Sequence, residues 1–406
     1  MTAELKACTH SRSVSNLLRK SWQRGRSLLP VEGFAFGRPL VVLQSDDWGR
    51  AGVCDRAGWQ ELCSLGVKLG ERSYDFYTLE TAEDVLAVVS MLQRHRDSIG
   101  CSPCLGMNCV VANVDYTQVS ASNFRKIYLR SLADGLSDGW QRPGLFDAYR
   151  EGISAGMLSP ALHGTTHFCQ STVERHLNDR TEKGELLRLF WNARVPYIHW
   201  RMPWVGFEYW DAERSGGEAF LNSEDQESLI DSAVKSFKRF FSKHPRSACA
   251  PGYRANDATH KAWAKHGIRV AQNGPGSWRP PHFDGNGILH LHRSLDFEPA
   301  VGQNFSLDAC VRAAEHAFSR GLPAIVSVHS INFHSSIKDF RSRTLKLLDE
   351  FLSSLEKKYP DLLYLGDEDL YELIDKGRLQ SAPSDVRVTV TKRKFSIGTS
   401  AAAWSA

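Results

Sequence analysis

The sequence predicts an α/β protein, a (β/α) barrel with long helical and aromatic insertions. Short apolar, β-branched runs recur along the chain. Longer amphipathic stretches with helical spacing separate them, and polar residues cluster where the runs end. Strands alternating with helices argue for a mainly parallel sheet with crossover helices. About eight such runs over ~340 residues fit a barrel, whose catalytic face is the C-terminal edge of its strands.

The first run, 39–45, ends in Asp46-Asp47-Trp48-Gly49. The second covers 104–113, and the third, 158–163, leads into Gly-Thr-Thr-His. A short fourth run, 248–253, is followed by 268–273, 288–297, 324–333 and 362–365. Between them, 81–96 reads as a helix with Val85, Val88, Val89 and Leu92 on one face. A second helix over 305–321 starts at the N-cap Ser306 and stops at Gly321. A third runs over 341–359 and ends before Pro360. Residues 194–211 carry Tyr197, Trp200, Trp204, Phe207, Tyr209 and Trp210, either a platform for sugar faces or packing of the insertion onto the barrel. The expected division is a basic arm over 1–30, the barrel over 31–380 and a mostly disordered Ser/Ala-rich tail over 381–406.

The 406 residues are 42% hydrophobic and 24% charged, the mix of a globular protein rather than a fibrous or disordered one. The net charge of +4 lies in the ends: 1–30 has six Lys/Arg against one Glu, and 381–406 has four against one Asp. That leaves the body at −4, which argues against a nucleic-acid groove. With no apolar leader and nine unpatterned cysteines, a reducing cytoplasm is expected. Cys101-Ser-Pro-Cys104 lacks the second pair a structural zinc site would want. Over 12–29, Val14, Leu17, Leu18 and Trp22 fall at helical spacing among Arg19, Lys20, Arg24 and Arg26. Such a segment could make weak contact with the inner face of a membrane, or dock on the barrel.

The chemistry-bearing residues fall at the ends of the expected strands. At a strand end a turn can aim both Asp46 and Asp47 at one site, and a metal on one of them removes the conflict between adjacent like charges. In His163-Gly-Thr-Thr-His167, a spacing of four puts two imidazoles on one face of a turn. Two His and one Asp give three ligands with an open fourth position, the pattern of a catalytic zinc site; cobalt, nickel and iron suit the same donors. Tyr253-Arg254 follow the fourth run and His329 lies in the seventh.

Ser45-Asp46-Asp47-Trp48-Gly49, His163-Gly-Thr-Thr-His167, Ala250-Pro251-Gly252-Tyr253 and Ser327-Val328-His329 resemble, in order, the motifs of the polysaccharide deacetylase (NodB-homology) superfamily. The likeness covers roughly residues 38–375, and a downstream His329-Ser-Ile-Asn-Phe333 segment points to a branch with an S-D-D-W-G first motif. The resemblance implies a distorted (β/α)7 barrel and one divalent metal. It makes Asp46 the general base, Asp47, His163 and His167 the metal ligands, and His329 the general acid. It also puts Gly252 and Tyr253 at the site, with a backbone N–H for the oxyanion, and gives Asp296, next to Phe297, the part of orienting His329. Cys249 stands where the family has an Arg that holds the base, leaving Arg254 and Arg246 as candidates to replace it.

The expected activity is metal-dependent hydrolysis of an N-acyl group, acetyl first, on a carbohydrate or a nucleotide- or lipid-linked sugar. A glycoside-cleaving enzyme with two carboxylates, including Glu208 or Glu298, is the alternative. A non-catalytic carbohydrate-binding protein is a third reading. Gly152-Ile-Ser-Ala-Gly156 matches a nucleophile elbow in letters alone, because no strand precedes it.

Overall fold

The computed structural model describes residues 30–275, 278–379 and 386–396. The apolar runs form β1 (Leu40–Trp48), β2 (Leu105–Cys109), β3 (Leu158–Leu162), β4 (Ser247–Cys249), β5 (Val270–Asn273), β6 (Leu289–His292), β7 (Leu295–Asp296) and β8 (Ala324–His329). They pair in parallel in the order β7-β8-β1-β2-β3-β4-β5-β6. Leu363–Tyr364 joins the start of β1, and His282–Phe283 pairs antiparallel with β6.

β6 and β7 are the two ends of this order, yet only Arg293 and Ser294 separate them. Arg293 N–H donates to Asn273 O (3.2 Å) on one edge, and Ser294 N–H donates to Ile325 O (2.9 Å) on the other. Ser294 Oγ also accepts from Ile325 N–H (2.8 Å). One kinked segment thus ties both edges together. The run expected over 288–297 is a single staggered strand whose partner changes midway, and the architecture is the distorted (β/α)7 type.

Alternation sorts the strand residues. Val41, Leu43, Leu105, Met107 and Val326 pack outward with Val85, Val88, Val89 and Leu92 of the helix Ala82–Leu92 and with Leu348, Phe351 and Leu352 of the helix Arg341–Lys358. Thr81 caps the first of these helices by accepting from Asp84 N–H. Leu40, Val42, Val270, Leu289, Leu291 and Ile325 come from strands on different sides of the sheet and meet inside it. Leu370 and Leu373 of the helix Asp367–Lys376 close that end. One step further along the same inward faces stand Gln44, Asn108, Gln272, Arg293 and Ser327, all buried. The upper half of the barrel is therefore polar, and buried polar groups must pair with one another. Gln44 Nε2 and Gln272 Nε2 donate to the carboxylate of Asp367 (2.7 and 2.6 Å).

One expectation needs correction. Part of 381–406, read as tail, is strand: Val390–Phe395 pairs antiparallel with Val31–Phe36. Within that strand only Phe395 is buried, while Lys392, Arg393 and Lys394 are exposed, so a basic run obscured a largely exposed edge strand; Val386 and Val388, just before it, are buried. Residues 381–385 and 397–406 of that segment, and the basic arm over 12–29, lie outside the described residues. Among the described residues, no helix is long and apolar enough to cross a membrane, and every cysteine is free.

Candidate active site and metal centre

The site lies where β1, β3 and β8 end. Asp46 continues the inward face of β1. Asp47 has φ +73°, and the β1–β2 register shifts between Ser45 and Trp48. This bulge turns the second carboxylate to the same side as the first. The flanking motif residues hold the turn: Trp48, fully buried, donates its indole N–H to Ser45 Oγ (2.8 Å), and Gly49, at φ +72°, donates its N–H to Glu80 (2.8 Å).

His163 follows β3, and its Nδ1–H donates to Cys249 O (2.8 Å), which leaves Nε2 bare and facing the site. The histidines are joined by a loop rather than a helical turn. Gly164 sits at φ +81° with Glu208 where a Cβ would stand. Glu208 accepts the N–H groups of Thr165 (2.7 Å) and Thr166 (3.1 Å) and so holds the loop; burial outweighs those bonds and pushes its carboxyl up to about 7. His167 Nδ1 bonds the Tyr197 hydroxyl (2.8 Å).

Asp47 Oδ1 lies 3.5 Å from His163 Nε2 and 3.2 Å from His167 Nε2. Two donors on one tetrahedral zinc stand about 3.4 Å apart. Asp47 Oδ1 and His163 Nε2 are buried without a hydrogen-bond partner, a costly state that a cation would relieve. Burial also drives the His167 pKa well below its usual value despite nearby Asp47, so the ring is neutral, as a ligand must be. The residues present fit a divalent metal. The second oxygen of Asp47 takes the Arg50 guanidinium (2.7 Å), which lies between the rings of Tyr77 and Tyr197.

Asp46 has different company. Arg293, fully buried, grips both of its oxygens at 2.6 Å, and Asn108 Nδ2 donates to Oδ1 (2.6 Å). Burial would raise the Asp46 carboxyl, but the Arg293 charge and hydrogen bonds, with His163 and His329, hold it well below the usual range. The candidates Arg254 and Arg246 do not do this. Arg254 lies over the Trp210 ring (4.7 Å), and Arg246 reaches Gly267 O (3.4 Å). Arg293 occupies the place left by Cys249, arriving from the kink that closes the barrel. The signal for it in sequence was a lone Arg inside the apolar run ILHLHRSLDF.

His329 ends β8 with its Nε2 3.8 Å from Asp46 Oδ2. Glu298, not Asp296, orients it: Glu298 Oε1 accepts from His329 Nδ1 (2.6 Å) and from its backbone N–H (3.0 Å). Asn332 Nδ2 donates to the other Glu298 oxygen (2.5 Å), and Phe333 stacks on Trp48 (centroids 5.9 Å apart), which explains the H-x-I-N-F segment. Burial disfavours the imidazolium, but Glu298, aided by Asp46 and Asp47, raises His329 to about 9. Asp296 sits close by, raised to about 6 by burial and by the Glu298 charge. Asp296 precedes Glu298 by two residues, so the orienting carboxylate is displaced along one short segment.

Of the backbone N–H groups expected to face an oxyanion, that of Tyr253 is engaged within the turn. Tyr253 N–H donates to Ala250 O (2.8 Å) and is not free for substrate; its hydroxyl instead takes a hydrogen bond from Arg293 (2.8 Å). Gly252, at φ +60°, leaves room for the Phe207 ring. Aromatic residues of 194–211 are engaged within the protein: Tyr197 with His167, Phe207 with His167 and His199, Trp204 with His176, Trp200 with Arg72 and Arg201. The insertion packs against the His163–His167 loop and holds it.

No family model matches the chain, and no curated protein does. Several solved structures are similar to it. A provisionally assigned glycoside hydrolase/deacetylase of Parabacteroides distasonis shares 13% identity at a TM-score of 0.48, covering 84% of this chain and 72% of that one. A provisionally assigned polysaccharide deacetylase of Mycobacterium smegmatis shares 12% at 0.43, covering 86% and 95%. A family 4 carbohydrate esterase of Streptomyces lividans, determined with acetate, shares 12% at 0.33, covering 81% and 91%. At these scores none of them decides what the site does; its own geometry must.

The His329–Glu298 pair sets a pH dependence. If protonated His329 is needed, kcat/KM should hold up to about pH 9 and fall above it as the proton is lost. In Glu298→Gln the negative charge that raises the pKa is gone, so the alkaline limb should move down toward the ordinary histidine range of about 6.5. A limb that stays in place in Glu298→Gln contradicts this assignment.

Proposed function

We propose that the protein is a metal-dependent hydrolase that removes an N-acyl group, acetyl first, from a carbohydrate or a sugar-bearing biosynthetic intermediate. The observation that carries the reading is the approach of Asp46 and His329, 3.8 Å apart and each held by its own buried partner, Arg293 and Glu298, beside three facing donor groups on Asp47, His163 and His167. A divalent ion held by those three, zinc by donor chemistry, supplies Lewis-acid polarisation of the acyl carbonyl and a water of lowered pKa. Asp46, aimed by Arg293 and Asn108, takes the proton of the attacking water at a carboxylate oxygen. Arg293 makes it a weak base but keeps it ionised and fixed in direction. His329 holds its proton through Glu298 and gives it from Nε2 to the departing nitrogen, which cannot leave as an amide anion. The sugar part of the reading rests on the motif resemblance.

The two glutamates considered for glycoside cleavage are both engaged elsewhere. Glu208 holds the His163–His167 loop, and Glu298 is taken up by His329 and Asn332. The test is acetate release from a panel of N-acetylated sugars by zinc-loaded protein. Release is expected from at least one member and should vanish in His163→Ala together with one equivalent of bound metal. Glycosidic cleavage without acetate release, or full metal content in His163→Ala, would reject the proposal.

A further inference from the structure

Outside the active site, a second set of imidazoles gathers on the outer face of the barrel. Leu289 and Leu291 of β6 point inward, so His290 and His292 point outward. The hairpin strand brings His282, and the helix Asp257–Lys265 brings His260. Ring centroids lie 4.7 Å apart for His260–His290, 5.3 Å for His282–His290 and 5.7 Å for His282–His292. Asp284, in the turn of the hairpin, completes the group.

We infer that His260, Asp284 and His290 form a second divalent-metal site, of the zinc class, that staples the helix and the hairpin to β6. Asp284 Oδ2 stands 3.3 Å from His290 Nε2 and 3.9 Å from His260 Nδ1. These spacings approach the edge of about 3.4 Å that donors on one tetrahedral zinc make. Asp284 Oδ1 accepts the N–H groups of Asn286 and Ile288 (both 2.9 Å), which fixes the carboxylate with Oδ2 turned to the histidines. Asn286 Nδ2 touches that oxygen at 3.2 Å, a contact a half-buried turn amide would have to give up. His290 is 7% exposed, and its Nε2 has no hydrogen-bond partner; nor has Nε2 of His260. A buried imidazole nitrogen without a good hydrogen bond is costly, and a cation between His290 Nε2, Asp284 Oδ2 and His260 Nδ1 would relieve it at His290. Burial lowers His260 to about 4 and lowers His290 as well, so both rings offer lone pairs at neutral pH. None of these residues touches the Asp46–His329 site. Solvent would complete the coordination, and β6 leads directly to Arg293, so the clamp would brace the segment that closes the barrel.

Chelator-stripped full-length protein is loaded with Zn²⁺, cleared of excess metal and measured for bound equivalents. Four forms are compared: unmodified protein, His163→Ala, His260→Ala and the double variant. Two, one, one and none are expected. Asp284→Asn, which keeps the turn but removes the charge, should weaken the same equivalent while circular dichroism stays unchanged. The inference falls if His260→Ala and Asp284→Asn both bind as much zinc as their parents, in either background. Loss of metal in His260→Ala but not in His163→Ala would uphold this site and reject the catalytic one.

Discussion

Asp46→Asn should lower turnover by ~10²–10⁴, the usual worth of a positioned acid or base, while the protein still binds its catalytic metal. Asn has nearly the same shape and can still meet Arg293 and Asn108, but it cannot take a proton from water. Metal should be retained because its proposed donors are Asp47, His163 and His167, while both oxygens of Asp46 are engaged by Arg293. Removing the charge also leaves Arg293 buried without its counter-ion, so the midpoint of unfolding should fall. Turnover is therefore compared at a temperature where circular dichroism finds both proteins folded. Normal turnover in Asp46→Asn, or loss of the catalytic metal, would overturn the role.

The second large effect concerns stability. Arg293→Met should cost about 3–5 kcal/mol, because Asp46 would remain as an unpaired buried charge. Gln44, Gln272, Tyr253 and Ser327, which bond the same guanidinium, would lose a partner too. Urea unfolding measures the loss. The further cost of Arg293→Met in an Asp46→Asn background should be much smaller, since no charge is left to strand. Equal costs in the two backgrounds would mean that the pair is not coupled.

The barrel was legible because short, β-branched apolar runs alternate with amphipathic helical stretches and their ends coincide with polar motifs. Asp46, Asp47, His163, His167 and His329 converge as the resemblance implied, since each follows a strand at the same edge. What escaped depends on contacts distant in sequence. Arg293 comes from a strand whose expected span was right but whose kink, where consecutive N–H groups bond opposite edges, no periodicity announces. Glu298 replaces Asp296 through a shift of two residues, invisible until His329 is in place. Glu208 and Tyr197 support the His163–His167 loop from an insertion whose aromatic content suggested a sugar platform as readily as packing. The edge strand Val390–Phe395 was hidden by its exposed lysines and arginine.

The central claim is that Asp47, His163 and His167 share one metal ion. Crystals of the full chain grown with zinc, measured at the zinc absorption edge, test it by position rather than by amount. The expected result is an anomalous peak bounded by Asp47 Oδ1, His163 Nε2 and His167 Nε2, with Asp46 still paired to Arg293. At saturating zinc, three bare donors with no peak between them would contradict it.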